Sequence, residues 1–343
     1  MCHFYNLTFA RNQISNRRKT SYNISGMDMA SGNNIERRYR AFSDYLKKRY
    51  GCKVYKVSLD AGFTCPNRDG RLGTGGCAYC NNQGFSPNTR VPRIPIRDQL
   101  IKGMDYMRIR YKAQKFIAYF QAYTNTYAGV DVLKPLYDEA VSHDDVVGLS
   151  VGTRPDCIED EVIELLSEIA YNKEVWIELG LQSAHDVTLT RINRRHDVHS
   201  FIDAVERIKK HNNLKICAHI ILGLPGESHD MMLDSADLIT SLGVDGIKIH
   251  LLHVLKETPF EELYKNGELK IFEFNDYIST VCDYLERLSP EIVIQRLTAD
   301  GPADILIAPK WALEKKRTID KIEKELLKRD SRQGKKAGST ISA

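Results

Sequence analysis

An α/β barrel is the fold these 343 residues point to. Six short apolar runs rich in β-branched residues recur along the chain, and helical patterns lie between most of them. Polar or glycine-rich turns follow all six. Strand and helix alternating this often make a parallel sheet covered by helices, and six units suit a partial (β/α)6 barrel of TIM type. A doubly wound open sheet is the alternative.

Residues 1–35 are rich in Asn, Ser and Arg and lack sustained periodicity, so a disordered extension is expected, with Met27 and Met29 as candidate domain starts. No apolar segment beside basic residues opens the chain, and no apolar run reaches the roughly 18 residues of a membrane span, so the expected location is the cytoplasm. The core domain is expected over 36–310. It begins with "IERRYRAFSDYLKKRYG", whose spacing predicts a helix of about four turns closed by Gly51. The strands follow as "KVYKVSL" (53–59), "KFIAYF" (115–120), "VVGLSV" (146–151), "VWIELGL" (175–181), "ICAHIIL" (216–222) and "GIKIHLL" (246–252). Segments such as "DEVIELLSEIA", "SFIDAVERIKK" and "DMMLDSADLITSLG" are the helices between them. A C-terminal helix and basic tail are expected over 311–343.

The net charge of +4 conceals an asymmetry. Residues 1–50 sum to +7 and residues 312–343 to +5, leaving −8 for the middle. Basic ends on an acidic body suit a polyanion such as RNA, although solvated tails have the same composition. Eight cysteines in a reducing compartment favour metal or redox chemistry over disulfides.

In a barrel or an open sheet alike, the functional edge is the C-terminal end of the strands. The segment after the first strand reads "CPNRDGRLGTGGCAYC" and spaces its cysteines C-x11-C-x2-C. The close pair can clamp one metal centre. A structural zinc wants four ligands, and the next cysteine, Cys157, comes only after the third strand, so zinc stays open with a distant partner. An iron–sulfur cube on three cysteines leaves one iron free for an outside ligand. Glycine-rich backbone at Gly73, Gly75 and Gly76 lets the chain wrap closely and offers amides to cluster sulfurs. Tyr79 sets an aromatic face beside the last cysteine.

A three-cysteine loop of this kind, ending in C-aromatic-C after the first strand, resembles the radical S-adenosylmethionine (SAM) superfamily. "TRPD", "ELGLQS", "NRRHD", "HIILGLPGE" and "IKIHLLHVLKETP" are similar to its Elongator-like branch. Together with "YFQAYTNT" and "RLTADGPADILIAPKW" they resemble the YhcC/YtqA subgroup, over residues 36 to 330.

The resemblance implies a [4Fe–4S] cluster on Cys65, Cys77 and Cys80, with SAM on the free iron through its amino and carboxylate groups. The reduced cluster would cleave SAM to methionine and a 5′-deoxyadenosyl radical that takes a substrate hydrogen. Where relatives place a glycine-rich turn against the SAM amine, this chain has Gln121, Ala122, Tyr123 and Thr124. Where relatives often carry a carboxylate it has Gly152. Gln182 and Arg194 match positions that touch the SAM ribose and carboxylate, a guanidinium suiting the latter. His219 stands where some relatives place an acid. His250 and His253 are candidates for substrate contact or proton donation, with His250 expected to alternate in facing with Lys248. Ordinary roles compete with each assignment: Arg194 as a surface charge, Gln182 as a helix cap, the histidines as structural hydrogen-bonding groups. Cys157 and Cys217 are expected to be buried, apolar-like residues.

The branch resemblance implies action on a tRNA wobble uridine, at the step from carboxymethylaminomethyl to aminomethyl, with an electron donor such as flavodoxin or ferredoxin. A radical SAM enzyme acting on a small molecule is the alternative. A redox sensor built on the cluster is a third reading, which the SAM-pocket motifs argue against.

Overall fold

The computed structural model of the chain describes residues 37–81, 92–298 and 301–338, so the extension expected over 1–35 lies outside the described residues. Six of its strands fall where the apolar runs predict: β1 (Val54–Leu59), β2 (Lys115–Phe120), β3 (Val146–Thr153), β4 (Glu174–Gln182), β5 (Leu214–Leu222) and β6 (Gly246–Leu251). A two-residue β7 (Val254–Leu255) follows, then β8 (Val293–Arg296) and β9 (Leu306–Ala308). The main sheet is parallel, in the order β1-β2-β3-β4-β5-β6-β8. The seventh strand, β8, is a difference from the six-unit expectation. The pair β7-β9 is antiparallel and separate.

Ten helices are described: α1 (Phe42–Tyr50), α2 (Ile96–Tyr111), α3 (Val130–Val141), α4 (Asp160–Ala170), α5 (Asp186–Arg191), α6 (Val198–Lys209), α7 (His229–Ser241), α8 (Pro259–Lys265), α9 (Phe274–Arg287) and α10 (Lys315–Lys328). Their apolar stripes cover the outer face of the sheet. On α4, Val162, Ile163, Leu165, Leu166 and Ile169 are buried, the spacing that lays one helical face on a sheet. The resulting core runs continuously from Val57 to Leu326.

The first helix is shorter than its sequence pattern. The approach to α1 is extended, because Arg40 gives its carbonyl to the Ile294 amide at 2.8 Å and Ala41 bridges Ile294 in parallel. Backbone groups engaged by a neighbouring strand cannot also close helical turns. Beyond α10 the chain folds back onto the domain. Gln333, 5% exposed, gives its amide to the Ser289 and Ile292 carbonyls at 2.7 and 2.8 Å. Its oxygen takes the Arg40 amide at 2.9 Å. The two ends of the described domain therefore meet at β8.

The sheet curls until side chains of its two edges, Lys56 on β1 and Gln295 on β8, meet across the lumen. Inside it, the end nearest the strand starts is packed with Trp176, Cys217 and Val293, closed from below by Phe42 and Tyr45 of α1. Both rings meet Trp176 edge-on, at 5.6 and 6.1 Å. Above this plug the lumen turns polar. Beyond that layer, towards the strand ends, sits the cysteine loop.

Candidate functional site

At the C-terminal ends of the strands lies a cavity of about 600 Å³. Every strand of the sheet from β2 to β8 contributes a side chain or glycine to its wall, and the loop after β1 contributes Cys65, Cys77 and Cys80. That loop is held by backbone and side-chain bonds. The Gly76 amide donates to the Asn67 carbonyl at 2.7 Å and the Ala78 amide to Ile192 at 2.9 Å. Asn193 donates to the Gly76 carbonyl at 2.6 Å, and Arg68 to the Cys80 carbonyl at 2.5 Å. Of the three glycines that the sequence singles out, Gly76 has the strictest need. Its φ is 73° and a Cβ there would lie 2.8 Å from the Arg68 side chain.

Arg194 is not a surface charge. It is 7% exposed, its Nη1 donates towards Cys77 Sγ at 3.6 Å, and its Nη2 donates to the Gly180 carbonyl at 2.9 Å. Arg154, itself forked onto Asp156 at 2.9 and 2.8 Å, supports it by donating to the Arg194 carbonyl at 3.0 Å. Burial alone would push the Cys77 thiol up, but the adjoining Arg194 guanidinium outweighs it and holds the thiol below its usual value. At Cys80 burial prevails, with Cys77 adding to it, and the thiol is pushed up to about 11. Asn67 also donates towards Cys77 Sγ, at 3.6 Å.

Gly180 admits this arrangement. A Cβ there would stand 2.6 Å from both Arg194 Nη2 and Gln182 Nε2. Gln182, with φ of 72°, thus lies beside Arg194 over one glycine and caps no helix. In the turn after β2, Gln121 donates to Ser58 Oγ at 2.8 Å. Thr124 has a buried hydroxyl without a partner among the described residues. Ala122 and Tyr123 line the same wall as Gly152, and Tyr79 faces them from the cysteine loop.

The floor is ionic. Glu178 on β4, 1% exposed, is bonded by Lys56 of β1 and Lys248 of β6. It also accepts from Ser150 at 2.5 Å and pairs with His219 Nε2 at 2.7 Å. Lys248 reaches the Tyr119 hydroxyl at 3.1 Å, and Lys56 reaches Gln295 on β8 at 2.7 Å. Burial opposes the Glu178 charge, yet the two lysines win and hold its carboxyl well below the usual range. Burial, reinforced by Lys248, pushes the His219 imidazole down to about 4. His219 is thus bound into the floor as a neutral group.

His250 and Lys248 both line the cavity. The expected alternation in facing between them is corrected, because residues two apart on a strand share a face. His253 lines the wall beyond them, near Gly301. Sequence reasoning passed over Lys56, Tyr119, Ser150, Glu178, Lys248 and Arg296. The available signal was a lone charge inside an apolar strand, as in "KVYKVSL", "VWIELGL" and "GIKIHLL". Cys157, Cys217 and Cys282 are buried free thiols. No described helix is long and apolar enough to cross a membrane.

Comparison with known proteins matches residues 68–239 to the radical SAM superfamily and residues 244–328 to the radical SAM C-terminal domain. The YtqA protein of Bacillus subtilis (strain 168) is 43% identical over 302 residues, 88% of this chain and 94% of its own length. The chain belongs to the radical SAM superfamily. Within it, the YhcC protein of Escherichia coli (strain K12) is 41% identical over 278 residues, 81% of this chain and 88% of its own. A tRNA uridine(34) acetyltransferase of Methanocaldococcus infernus is 30% identical over 166 residues, 47% of this chain and 30% of its own. The solved archaeal Elp3 of the same species superposes with a TM-score of 0.62 at 17% identity, over 82% of this chain and 64% of that one, a likeness of fold. These relatives set the chain in the Elongator-like branch of radical SAM enzymes.

The residues present fit the cofactors of that superfamily. Three thiols face one cavity, flanked by N–H donors aimed at sulfur. No group of three or more Cys, His, Asp or Glu among the described residues converges on a single-ion site. A cube, whose irons sit at separate corners, asks for thiolates set further apart than one ion would. The partnerless Arg194 Nε and Thr124 Oγ1 are buried polar atoms that a bound ligand would satisfy.

Proposed function

We propose that the chain holds a [4Fe–4S] cluster on Cys65, Cys77 and Cys80 and SAM beside it, and acts on a tRNA wobble uridine, taking carboxymethylaminomethyl to aminomethyl. In that step the bond from the amine nitrogen to the carboxymethyl carbon breaks, and the two-carbon unit leaves as glyoxylate once water has added to its oxidised carbon. The two electrons given up are taken by SAM as it goes to methionine and 5′-deoxyadenosine. The observation that carries the cofactor reading is Arg194, anchored on the Gly180 carbonyl and directed at Cys77 from one side of the cavity. A guanidinium fixed there meets a carboxylate with paired N–H donors. Gln182 beside it suits the ribose, and Gln121 to Thr124 supply the wall against the amine. Tyr79 shields the cluster face.

When bound, the cluster supplies the electron that cleaves SAM, and SAM supplies the carbon radical that removes a substrate hydrogen. The chain's own work is positional. The α1 plug and the ionic floor close the lumen from below, so solvent reaches the cavity from the strand-end side. The Glu178 cluster holds His219 neutral and fixed.

The tRNA half of the proposal rests on the named activity of the tRNA uridine(34) acetyltransferase that shares this region, and on charge. On α10 and beyond, Lys316, Lys321, Lys324, Lys328, Arg332 and Lys335 are exposed, with Asp320 and Asp330 exposed among them, a net positive surface suited to phosphates. The test is turnover. Cluster-loaded protein, SAM and reduced flavodoxin or ferredoxin should convert carboxymethylaminomethyl-uridine in tRNA to aminomethyl-uridine, read by nucleoside mass spectrometry. SAM cleavage without change in any nucleoside, over several tRNA pools, would transfer the assignment to a small-molecule substrate.

A further inference from the structure

The cavity wall carries far more positive than negative charge. Among the described residues that line it, Glu178 is the only acid, against Arg68, Arg154, Arg194, Lys248 and Arg296. Arg154 has Asp156, Arg68 donates to the Cys80 carbonyl, Arg194 to Cys77 Sγ and the Gly180 carbonyl, and Glu178 is already shared by Lys56, Lys248 and His219. Arg296 remains. It sits on β8 in register with Lys248 and has no hydrogen-bond or ion-pair partner among the described residues. Next to it on β6 stands His250, whose ring lies 5.2 Å from that of His219 and whose Nε2 is shut off from solvent without a partner.

Arg296 is half-buried in one corner, and beside it the buried His250 nitrogen left unanswered is costly unless a ligand answers it. That corner is not the one assigned to SAM. Arg194 follows β4 and α5 and is tied to the cysteine loop, whereas Arg296 and His250 belong to the β6-β8 edge of the sheet. We propose that Arg296 and His250, backed by Lys248, form a subsite for a carboxylate of the substrate, distinct from the residues that hold SAM.

The chemistry of the corner favours a carboxylate over a phosphate. A guanidinium offers two parallel N–H groups that match two carboxylate oxygens. Burial, with Arg296 next in effect, holds His250 well below its usual value, so its ring is neutral and contributes one N–H rather than a second charge. Lys248 is committed to Glu178. Glu178 answers only one of the two lysines that share it, but burial pushes Lys248 down to about 7, so Arg296 is the full positive charge of the corner and its paired donors suit a carboxylate. The substrate class is therefore a molecule with a carboxylate on an arm able to reach the β6-β8 corner. The subsite rests on the reading of the cavity as the place where substrate meets SAM, and a carboxymethylamino arm has such a terminus.

The test uses cluster-loaded, SAM-bound protein and two probes, N-methylglycine and its amide, which share the protonated amine and differ in the carboxylate, titrated by calorimetry. The acid should bind saturably, and the amide roughly tenfold to a hundredfold more weakly. Arg296→Gln should lose that preference, with cluster absorption retained, and Arg296→Lys should recover part of it. Should Arg296→Gln lose its cluster, the comparison of acid with amide on the unmodified protein still decides. Equal binding of acid and amide, absence of saturable binding of the acid, or inorganic phosphate binding as tightly as the acid would overturn the subsite. A protein that prefers the acid yet alters no tRNA nucleoside keeps the subsite and refutes the tRNA assignment. One that converts tRNA but binds both probes alike does the reverse.

Discussion

Lys56 on β1 donates to Gln295 on β8 at 2.7 Å, joining the two edges of a single sheet across its own lumen. The same ammonium is bonded to Glu178 on β4. One carboxylate thus ties together β1, β3, β4, β5 and β6 through Lys56, Ser150, His219 and Lys248. Replacing Glu178 by Gln keeps the shape and removes the charge, leaving two lysines facing each other in a closed space. The expected cost is about 3–5 kcal/mol, the range for breaking a buried ion pair from one side. Urea denaturation of the apoprotein, before and after the substitution, measures it. A loss below about 1 kcal/mol, the level of an exposed pair, would mean that the floor is hydrated.

Cys77 is the thiol that Arg194 and Asn67 both approach, so its loss should be felt first. Cys77→Ala protein, reconstituted anaerobically, should fail to retain the roughly four irons of a cube and its absorption. Zinc bound in stoichiometric amount, with no iron, would instead support a tetrahedral site.

Gly180 offers a cleaner probe of the SAM pocket than Arg194 itself. Arg194→Ala removes a buried charge and should weaken SAM binding by roughly 1.5–3 kcal/mol while the cluster stays. Gly180→Ala leaves every charge in place but introduces a Cβ 2.6 Å from both Arg194 Nη2 and Gln182 Nε2. SAM affinity should fall in this variant too. If only the arginine variant loses affinity, the guanidinium acts by charge rather than by position.

Acid should destabilise the fold through its buried histidines. His219 falls from its usual 6.5 to about 4 in the fold. In that window the unfolded chain accepts a proton that the folded one refuses, so stability drops as pH falls, by about 3 kcal/mol for the full shift. His250 and His196, also held low by burial, act in the same direction. Glu178, held below 4.5, contributes only beneath that value. Denaturation midpoints across the window should therefore slope with pH, and His219→Asn should reduce the slope by one proton.

Strand positions were legible because six mostly buried strands appear as short, largely apolar runs rich in β-branched residues. The seventh was not, since "VIQR" is four residues long and half polar. The helix α2 also escaped notice. Its buried residues are Ile96, Gln99, Leu100 and Met104, and arginines and tyrosines interrupt the stripe. The overlong reading of α1 had a different cause. Local composition favoured helix from Arg37 onward, but the backbone there is claimed by β8, a partner 250 residues away in sequence that no local pattern reveals. In the cavity, cysteine spacing and loop position exposed the cluster motif. The lumen network stayed hidden because Lys56, Glu178 and Lys248 are unremarkable one at a time. They acquire meaning only when curling of the sheet brings three distant strands around one carboxylate.

The aromatic plug beneath that carboxylate governs traffic. A barrel shut at one end by Phe42, Tyr45 and Trp176 is a cul-de-sac. Among the described residues that end is closed, which leaves the strand-end side, where the cysteine loop lies, for entry. A long substrate can then present only its tip, with the bulk of the molecule parked outside. A whole tRNA is no obstacle to such a chamber, provided that one nucleotide is turned out of its stack and its side arm threaded inward.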